Sequence, residues 1–212
     1  MEGLPELMTQ LPHLTVTHQT GESDHARVAE AYRRTGIESH VMPFIYDMPA
    51  ALREADLVVA RAGAMTVAEL TACGKPAILI PLPSAIYDHQ TQNAKVMEAA
   101  GAAVVLLQSV LTGTLLVRTV ASILGDPERL RAMGEASLSL RRIDAAEVIV
   151  RECYALMGVI MMLTGLLERQ EANGIGQRGQ GSQSYPPVGG VRRATMFRKT
   201  QQIHLVGIGD RG

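Results

Sequence analysis

Two short stretches of this chain place hydrogen-bonding groups where a helix begins directly after an apolar strand or its loop. The first is Ala60-Arg61-Ala62-Gly63-Ala64-Met65-Thr66-Val67-Ala68-Glu69-Leu70, and the second is Asp88-His89-Gln90-Thr91-Gln92-Asn93-Ala94. In an open α/β sheet this is where nucleotides and sugars bind. A strand feeding Gly63-Ala64-Met65-Thr66 and then a helix presents unpaired backbone N–H groups and the positive end of a helix dipole. That arrangement suits phosphate, and Gly63 and Ala64 leave room for close approach. The same residues also fit an ordinary strand-to-helix connection with Thr66 as cap. Thr66-x-x-Glu69 matches a capping box; it equally matches a carboxylate that accepts from the vicinal hydroxyls of a ribose. Spacing alone does not choose between them. Gln90 and Asn93, at i and i+3, share one face of a first helical turn. Their amides both donate and accept, as sugar hydroxyls do, although a polar turn facing solvent has the same pattern. Arg61 can offset phosphate charge through forked hydrogen bonds or stand as an exposed rim residue.

These groups need a scaffold, and the first 157 residues supply one by alternating short β-rich runs with helical patterns, the signature of a parallel sheet flanked by helices. Strands are expected at Leu14 to His18, His40 to Phe44, Leu57 to Ala60, Ala77 to Ile80 and Ala103 to Leu107. Helices are expected at Ser23 to Arg34 (capped by Ser23 or Asp24 and stopped by Gly36), Met48 to Glu54 and Met65 to Cys73, the last closed by Gly74. Further helices fall at Asp88 to Ala100, Thr112 to Leu124, Pro127 to Leu140 and Ala145 to Leu156, with Asp144 as a natural cap. Leu57-Val58-Val59-Ala60 is continuously apolar, as a strand buried on both faces must be. The Pro-rich loop from Pro81 to Asp88 brings Gln90 beside the Gly63 turn if the two preceding strands are neighbours.

Composition sets bounds. The 212 residues fit one domain, or one domain and a tail, and 47% hydrophobic content is that of a normal globular protein. Net charge is −1 with a pI near 6.6, so no global field draws the chain to nucleic acid or an anionic membrane. Aromatics reach only 3% and Trp is absent, which argues against base-stacking platforms. Cys73 and Cys153 lack metal-ligand spacing and fit a reduced, cytosolic compartment. Neither the histidines nor any Ser-His-Asp or Cys-His arrangement forms a metal or nucleophile constellation. The N-terminus reads as no signal peptide, and the apolar run near Val159 to Leu167 falls short of the ~20 residues that span a bilayer. The expectation is a soluble or at most peripheral protein.

From about Leu14 to Met157 the chain resembles the C-terminal domain of the MurG-type peptidoglycan N-acetylglucosaminyltransferases. The resemblance rests on His18-Gln19-Thr20-Gly21, Phe44-Ile45-Tyr46-Asp47-Met48, Ala55-Asp56-Leu57-Val58-Val59, Arg61 through Glu69, Asp88 through Ala94, and Ala100-Gly101-Ala102-Ala103. It implies an α/β, Rossmann-like parallel sheet forming the C-terminal half of a GT-B glycosyltransferase, with UDP-N-acetylglucosamine as the bound donor. By similarity Ile45 holds the uracil edge through its backbone and Glu69 the ribose hydroxyls. Ala64, Met65 and Thr66 line the phosphate and nucleoside region with Arg61 close by, and Gln90 and Asn93 bond the N-acetylglucosamine ring. The implied reaction is inverting transfer of that sugar to lipid I, giving lipid II for peptidoglycan at the cytoplasmic, inner face of the bacterial membrane. It needs no bound catalytic metal or other cofactor and no nucleic acid.

The chain also departs from the family. The N-terminal acceptor domain, which carries the lipid I contacts, the candidate base and the membrane-docking patch, has no counterpart, and neither does the first strand of the C-terminal domain with its Gly-Gly-Ser turn. Tyr46 stands where the family often has Asp. The expectations that follow are an internal or misplaced start at Met1, a domain at 1–157 with one unpaired apolar sheet edge, and no transfer by this chain alone. Residues 158–195, rich in Gly, Gln, Ser and Arg with Pro186-Pro187, read as a disordered, low-complexity tail of read-through origin. Residues 196–212 resemble the start of the MurC-type UDP-N-acetylmuramate–alanine ligases. There Gly207-x-Gly209-x-x-Gly212 matches a dinucleotide fingerprint, with no helix to follow it. The rival readings are another UDP-sugar enzyme of the GT-B fold and a non-catalytic nucleotide-binding or inert fragment.

Overall fold

Alternation within each strand decides the architecture. In Leu57–Ala60 all four side chains are fully buried, yet they divide between two cores: Leu57 and Val59 point into one cluster, Val58 and Ala60 into another. Ile78 and Ile80 likewise separate from Ala77 and Leu79. A strand apolar on both faces requires helices on both faces. The computed structural model, which describes residues 11–83, 88–156 and 201–206, has that three-layer arrangement.

The elements run β1 (Leu14–Gln19), α1 (His25–Thr35), β2 (Glu38–Met42), α2 (Met48–Glu54), β3 (Leu57–Ala60), α3 (Ala64–Cys73), β4 (Ala77–Leu79), α4 (His89–Ala99), β5 (Ala103–Val105), a 3-10 turn (Gln108–Val110), α5 (Gly113–Leu124), α6 (Pro127–Ser139), α7 (Ala145–Leu156) and β6 (Gln201–Val206). One core packs Tyr32 of α1, Val117, Val120, Ile123 and Leu124 of α5, and Met133 of α6 against the sheet. The other packs Leu52 of α2, Leu70 of α3, and Ala94 and Met97 of α4. Each buried Leu, Ile or Met contributes roughly 1.5–3 kcal/mol. Helix α7 lies in a second unit that begins at Arg142, and its backbone begins with Val148 N–H donating to the Asp144 carbonyl at 2.9 Å.

Local stops and starts follow the residue chemistry. Gly74 closes α3 in a left-handed conformation, φ 62°, with its N–H returned to the Leu70 and Thr71 carbonyls. Asp47 and Asp126 cap α2 and α6 through their carboxylates, each followed by a proline in the first turn. Asp24 stands at the cap of α1 without a side-chain cap bond, because its carboxylate is engaged by Arg27 Nε at 3.1 Å.

All strands are parallel, in the order β2-β1-β6-β3-β4-β5. The expected open edge is not there: Gln201–Val206 pairs with all of β1 on one side and with Leu57–Ala60 on the other. The segment set apart by sequence as a terminal stub therefore lies at the centre of the sheet. The expected disorder of 158–195 and the fingerprint at Gly207 to Gly212 lie outside the described residues. Among the described residues no helix is long and apolar enough to cross a membrane.

Candidate functional site at the carboxyl edge of the sheet

Because every strand points the same way, all strand-to-helix loops leave the sheet at one edge. Arg61 to Gly63 follow β3, the Ile80 to Asp88 loop follows β4, Pro43 to Asp47 follow β2, and Gln108 follows β5. Gly63 is the cap residue of α3, extended at φ −64° and ψ 150°, and no side chain caps the helix. The N–H groups of the first turn, at Ala64, Met65 and Thr66, therefore have no intrahelical acceptor. A Cβ added at Gly63 would meet nothing nearer than Thr66 Oγ1 at 3.7 Å, so the approach to these donors is open. Ala64 and Met65 are exposed. The capping-box reading of Thr66 and Glu69 fails: the helix starts at Ala64, which puts Thr66 third and Glu69 sixth, beyond the first turn. The Glu69 carboxylate is exposed, and among the described residues no hydrogen bond or ion pair holds it.

Asn93 Nδ2 donates to the Ala62 carbonyl at 3.0 Å, tying the first turn of α4 to the Gly63 turn. The two helix tips singled out in the sequence are thus neighbours. Gln90 Oε1 accepts from Leu82 N–H at 3.0 Å, pinning the loop after β4 to the same turn. These bonds fix both amides by partner chemistry and leave Gln90 with its NH₂ donors and Asn93 with its carbonyl acceptor. Asp88, which opens α4, has φ 57°, the one positive φ at a non-glycine among the described residues. Backbone strain of this kind concentrates at binding loops.

Arg61 crosses from β3 toward β4 and β5. Its Nη1 donates to Ile80 O at 3.2 Å and to Gln108 Oε1 at 2.8 Å, with Pro81 O at 3.4 Å. All three acceptors are neutral, and among the described residues no carboxylate pairs with Arg61. Its charge thus adds to the positive end of α3, and an anion is the natural complement.

Toward β1 and β2, Ile45 has a buried side chain, and its N–H donates to Gln19 Oε1 at 2.9 Å. The exposed rings of Phe44 and Tyr46 flank it, meeting edge-on at 5.2 Å. Behind this loop the His18 and Tyr32 rings meet edge-on at 5.8 Å, with Nδ1 and the phenol oxygen 3.3 Å apart. Burial lowers the His18 pKa from 6.5 to about 4, with Asp24 opposing weakly, and pushes the Tyr32 phenol well above its ordinary value. Sequence reading passed over Gln19 and Gln108 as site residues. Gln19 adjoins the Thr20-Gly21 turn, but Gln108 lies 47 positions from Arg61 and carries no local signal. A shallow cavity of about 410 Å³, lined by Gly101, Val104, Arg129 and Met133 among others, opens at the opposite end of β5, away from these groups.

The family model of the glycosyltransferase family 28 C-terminal domain matches residues 2–149. The chain belongs to glycosyltransferase family 28. Among relatives of this family 28 domain, the UDP-N-acetylglucosamine–N-acetylmuramyl-(pentapeptide) pyrophosphoryl-undecaprenol N-acetylglucosamine transferase of Geobacter metallireducens is 48% identical over 151 residues, 71% of this chain and 42% of that protein. The transferase of the same name from Geobacter sulfurreducens is 47% identical over 154 residues, 73% of this chain and 42% of its own length. The crystal structure of Acinetobacter baumannii MurG superposes with a TM-score of 0.63 at 34% identity, covering 71% of this chain and 44% of that one. The family 28 chain therefore spans less than half the length of the relatives it matches, and its fold is that of the C-terminal half of a GT-B glycosyltransferase.

Proposed function

We propose that this chain is the donor-binding domain of an N-acetylglucosaminyltransferase that moves the sugar of UDP-N-acetylglucosamine onto lipid I, forming lipid II. The observation that carries the reading is the Asn93–Ala62 bond, which holds a sugar-reading amide against an uncapped, cationic helix tip. The diphosphate sits at the N–H groups of Ala64, Met65 and Thr66, with Arg61 supplying charge to the departing UDP. Glu69 accepts from the ribose hydroxyls. Gln90 donates to, and Asn93 accepts from, hydroxyls or the acetamido group of the sugar. The uracil edge meets the Ile45 backbone, which requires Gln19 to release the Ile45 N–H.

The chemistry asked of this domain is positioning and stabilisation of the leaving diphosphate, with no covalent intermediate on the protein and no metal or cofactor. On this reading the acceptor lipid and the peripheral contact with the inner face of the membrane fall to a partner half of the transferase, consistent with a chain that covers 42% of its Geobacter metallireducens relative.

Isothermal titration of the full chain with UDP-N-acetylglucosamine and with UDP tests the reading, alongside Glu69→Ala. A carboxylate hydrogen bond contributes about 1.5–3 kcal/mol, so Glu69→Ala weakens both ligands by about ten- to a hundredfold. No heat at millimolar ligand would leave an inert domain. Binding unchanged by Glu69→Ala would remove the ribose assignment.

A further inference from the structure

The order β2-β1-β6-β3-β4-β5 has one irregularity. From β1 the chain moves outward to β2; from β3 it moves outward through β4 to β5 on the other side. A doubly wound sheet of this kind grows from a central strand that comes first in the chain, in the order 3-2-1-4-5-6. Here that central place is taken by the last strand, Gln201–Val206. Its partners are Leu14 to Gln19 on one side and Leu57 to Ala60 on the other, in continuous parallel register. With the strand removed, β1 and β3 would stand two strand spacings apart, about 9–10 Å, too far to pair with each other. The facing backbone groups of β3, whose side chains are fully buried, would then have no partner.

The sequence of the segment independently suits the position. Ile203-His204-Leu205-Val206 is followed by Gly207-Ile208-Gly209-Asp210-Arg211-Gly212, the GxGxxG spacing that follows the first, central strand of nucleotide-binding sheets. No proline interrupts 201–206, and the chain between Val105 and Gln201 far exceeds the dozen or so residues that a parallel crossover needs.

We propose that the gap between β1 and β3 is a strand-acceptor groove and that residues 201–206 are its occupant within the same molecule, completing the sheet from the far end of the chain. The inference stands apart from the donor-binding reading: the groove is filled whether or not a nucleotide binds.

Amide hydrogen exchange on the intact chain decides it. The amides of 202–206 should be protected within about tenfold of those of Leu14 to Gln19 and Leu57 to Ala60; exchange at the rate of an unstructured peptide overturns the proposal. Stopping the chain after Thr195 should abolish the cooperative thermal transition, and a synthetic peptide of residues 198–208 should restore it. A truncated chain that melts like the full one also overturns it. In the full chain, His204→Pro deletes a ladder donor and should lower the melting temperature; an unchanged melt counts against the groove. Sedimentation at low micromolar concentration should show a monomer. A dimer that gains protection at 202–206 only on association would give the groove to a second copy and overturn occupancy within one molecule.

Discussion

Asn93 and Gln19 each hold a backbone group at the site, but only the one held by Gln19, the Ile45 N–H, is a group the proposed ligand needs, and that gives their substitutions opposite signs. Asn93→Ala removes the bond to Ala62 and, with it, the acceptor offered to the sugar. Each bond is worth about 0.5–1.5 kcal/mol. UDP, which feels only the loosened helix tip, should bind about two- to twelvefold more weakly, and UDP-N-acetylglucosamine, which loses both, by a further factor of similar size. Equal losses for the two ligands in titration calorimetry would take Asn93 out of the sugar contact. Gln19→Ala instead frees the Ile45 N–H that the uracil edge must claim. It should lower the melting temperature slightly yet tighten UDP binding about two- to twelvefold; weaker binding would mean that Gln19 itself reads the base. His18 contributes a pH dependence with a definite sign. Burial depresses its folded pKa to about 4 from 6.5, so the unfolded chain binds the extra proton first. Stability is complete above pH 6.5 and is lost as pH falls from there toward 4, by up to about 3 kcal/mol. Urea midpoints at pH 7.5 and 4.5 should differ more in the native chain than in His18→Gln; parallel profiles would assign the loss elsewhere.

Elements whose causes are local were readable from the residues that cause them. Leu57-Val58-Val59-Ala60 could only be a doubly buried strand, Gly36 and Gly74 end their helices with positive φ, and every described helix begins within two residues of its expected start. What escaped was set by distance along the chain. Arg61 finds Gln108 across four elements, and the strand that fills the sheet centre lies more than a hundred residues beyond its partners. No periodicity or capping pattern encodes such a pairing, and a resemblance that ends near Met157 points away from it. The capping-box alternative for Thr66 and Glu69 fails for the converse reason: the local spacing fits, but Gly63 and not Thr66 is the cap, so the helix starts three residues before the pattern requires. Two helix-stop glycines give a graded test of packing. At Gly74 an added Cβ would lie 2.8 Å from Leu138 Cδ2 and nearer its Cγ, while at Gly101, φ 78°, it would meet nothing within 4 Å. Gly101→Ala should cost only the left-handed backbone, about 1–2 kcal/mol. Gly74→Ala adds overpacking of α6 against α3, about 1–3 kcal/mol more. Urea unfolding that ranks the two equal would show that Leu138 yields freely.

At the scale of the whole molecule, the candidate site as the described residues form it is an open edge and not an enclosed pocket, and this bears on catalysis. The proposal assigns the groups at the carboxyl edge (Arg61, the α3 tip, Gln90, Asn93 and Glu69) to the donor alone, and nothing in the described residues gathers a second set opposite them. Net charge is only −1, so attraction for the diphosphate is local to Arg61 and the helix tip and should weaken as salt screens it. Transfer needs both reactants held in line, and that positioning is worth effective molarities of about 10⁵–10⁸ M. A domain spanning 42% of its Geobacter metallireducens relative supplies one of the two halves. Binding and turnover should therefore separate. The chain alone should bind UDP-N-acetylglucosamine yet transfer labelled sugar to a lipid I analogue at background rate. Fused behind the N-terminal portion of that relative, it should recover transfer by a factor of about 10⁴ or more, a small part of what positioning can supply. Glu69→Ala in the fusion should then lower transfer together with donor affinity. Transfer by the isolated chain within tenfold of the fusion would mean that the acceptor is held by this domain, and that the edge seen here is a complete active site.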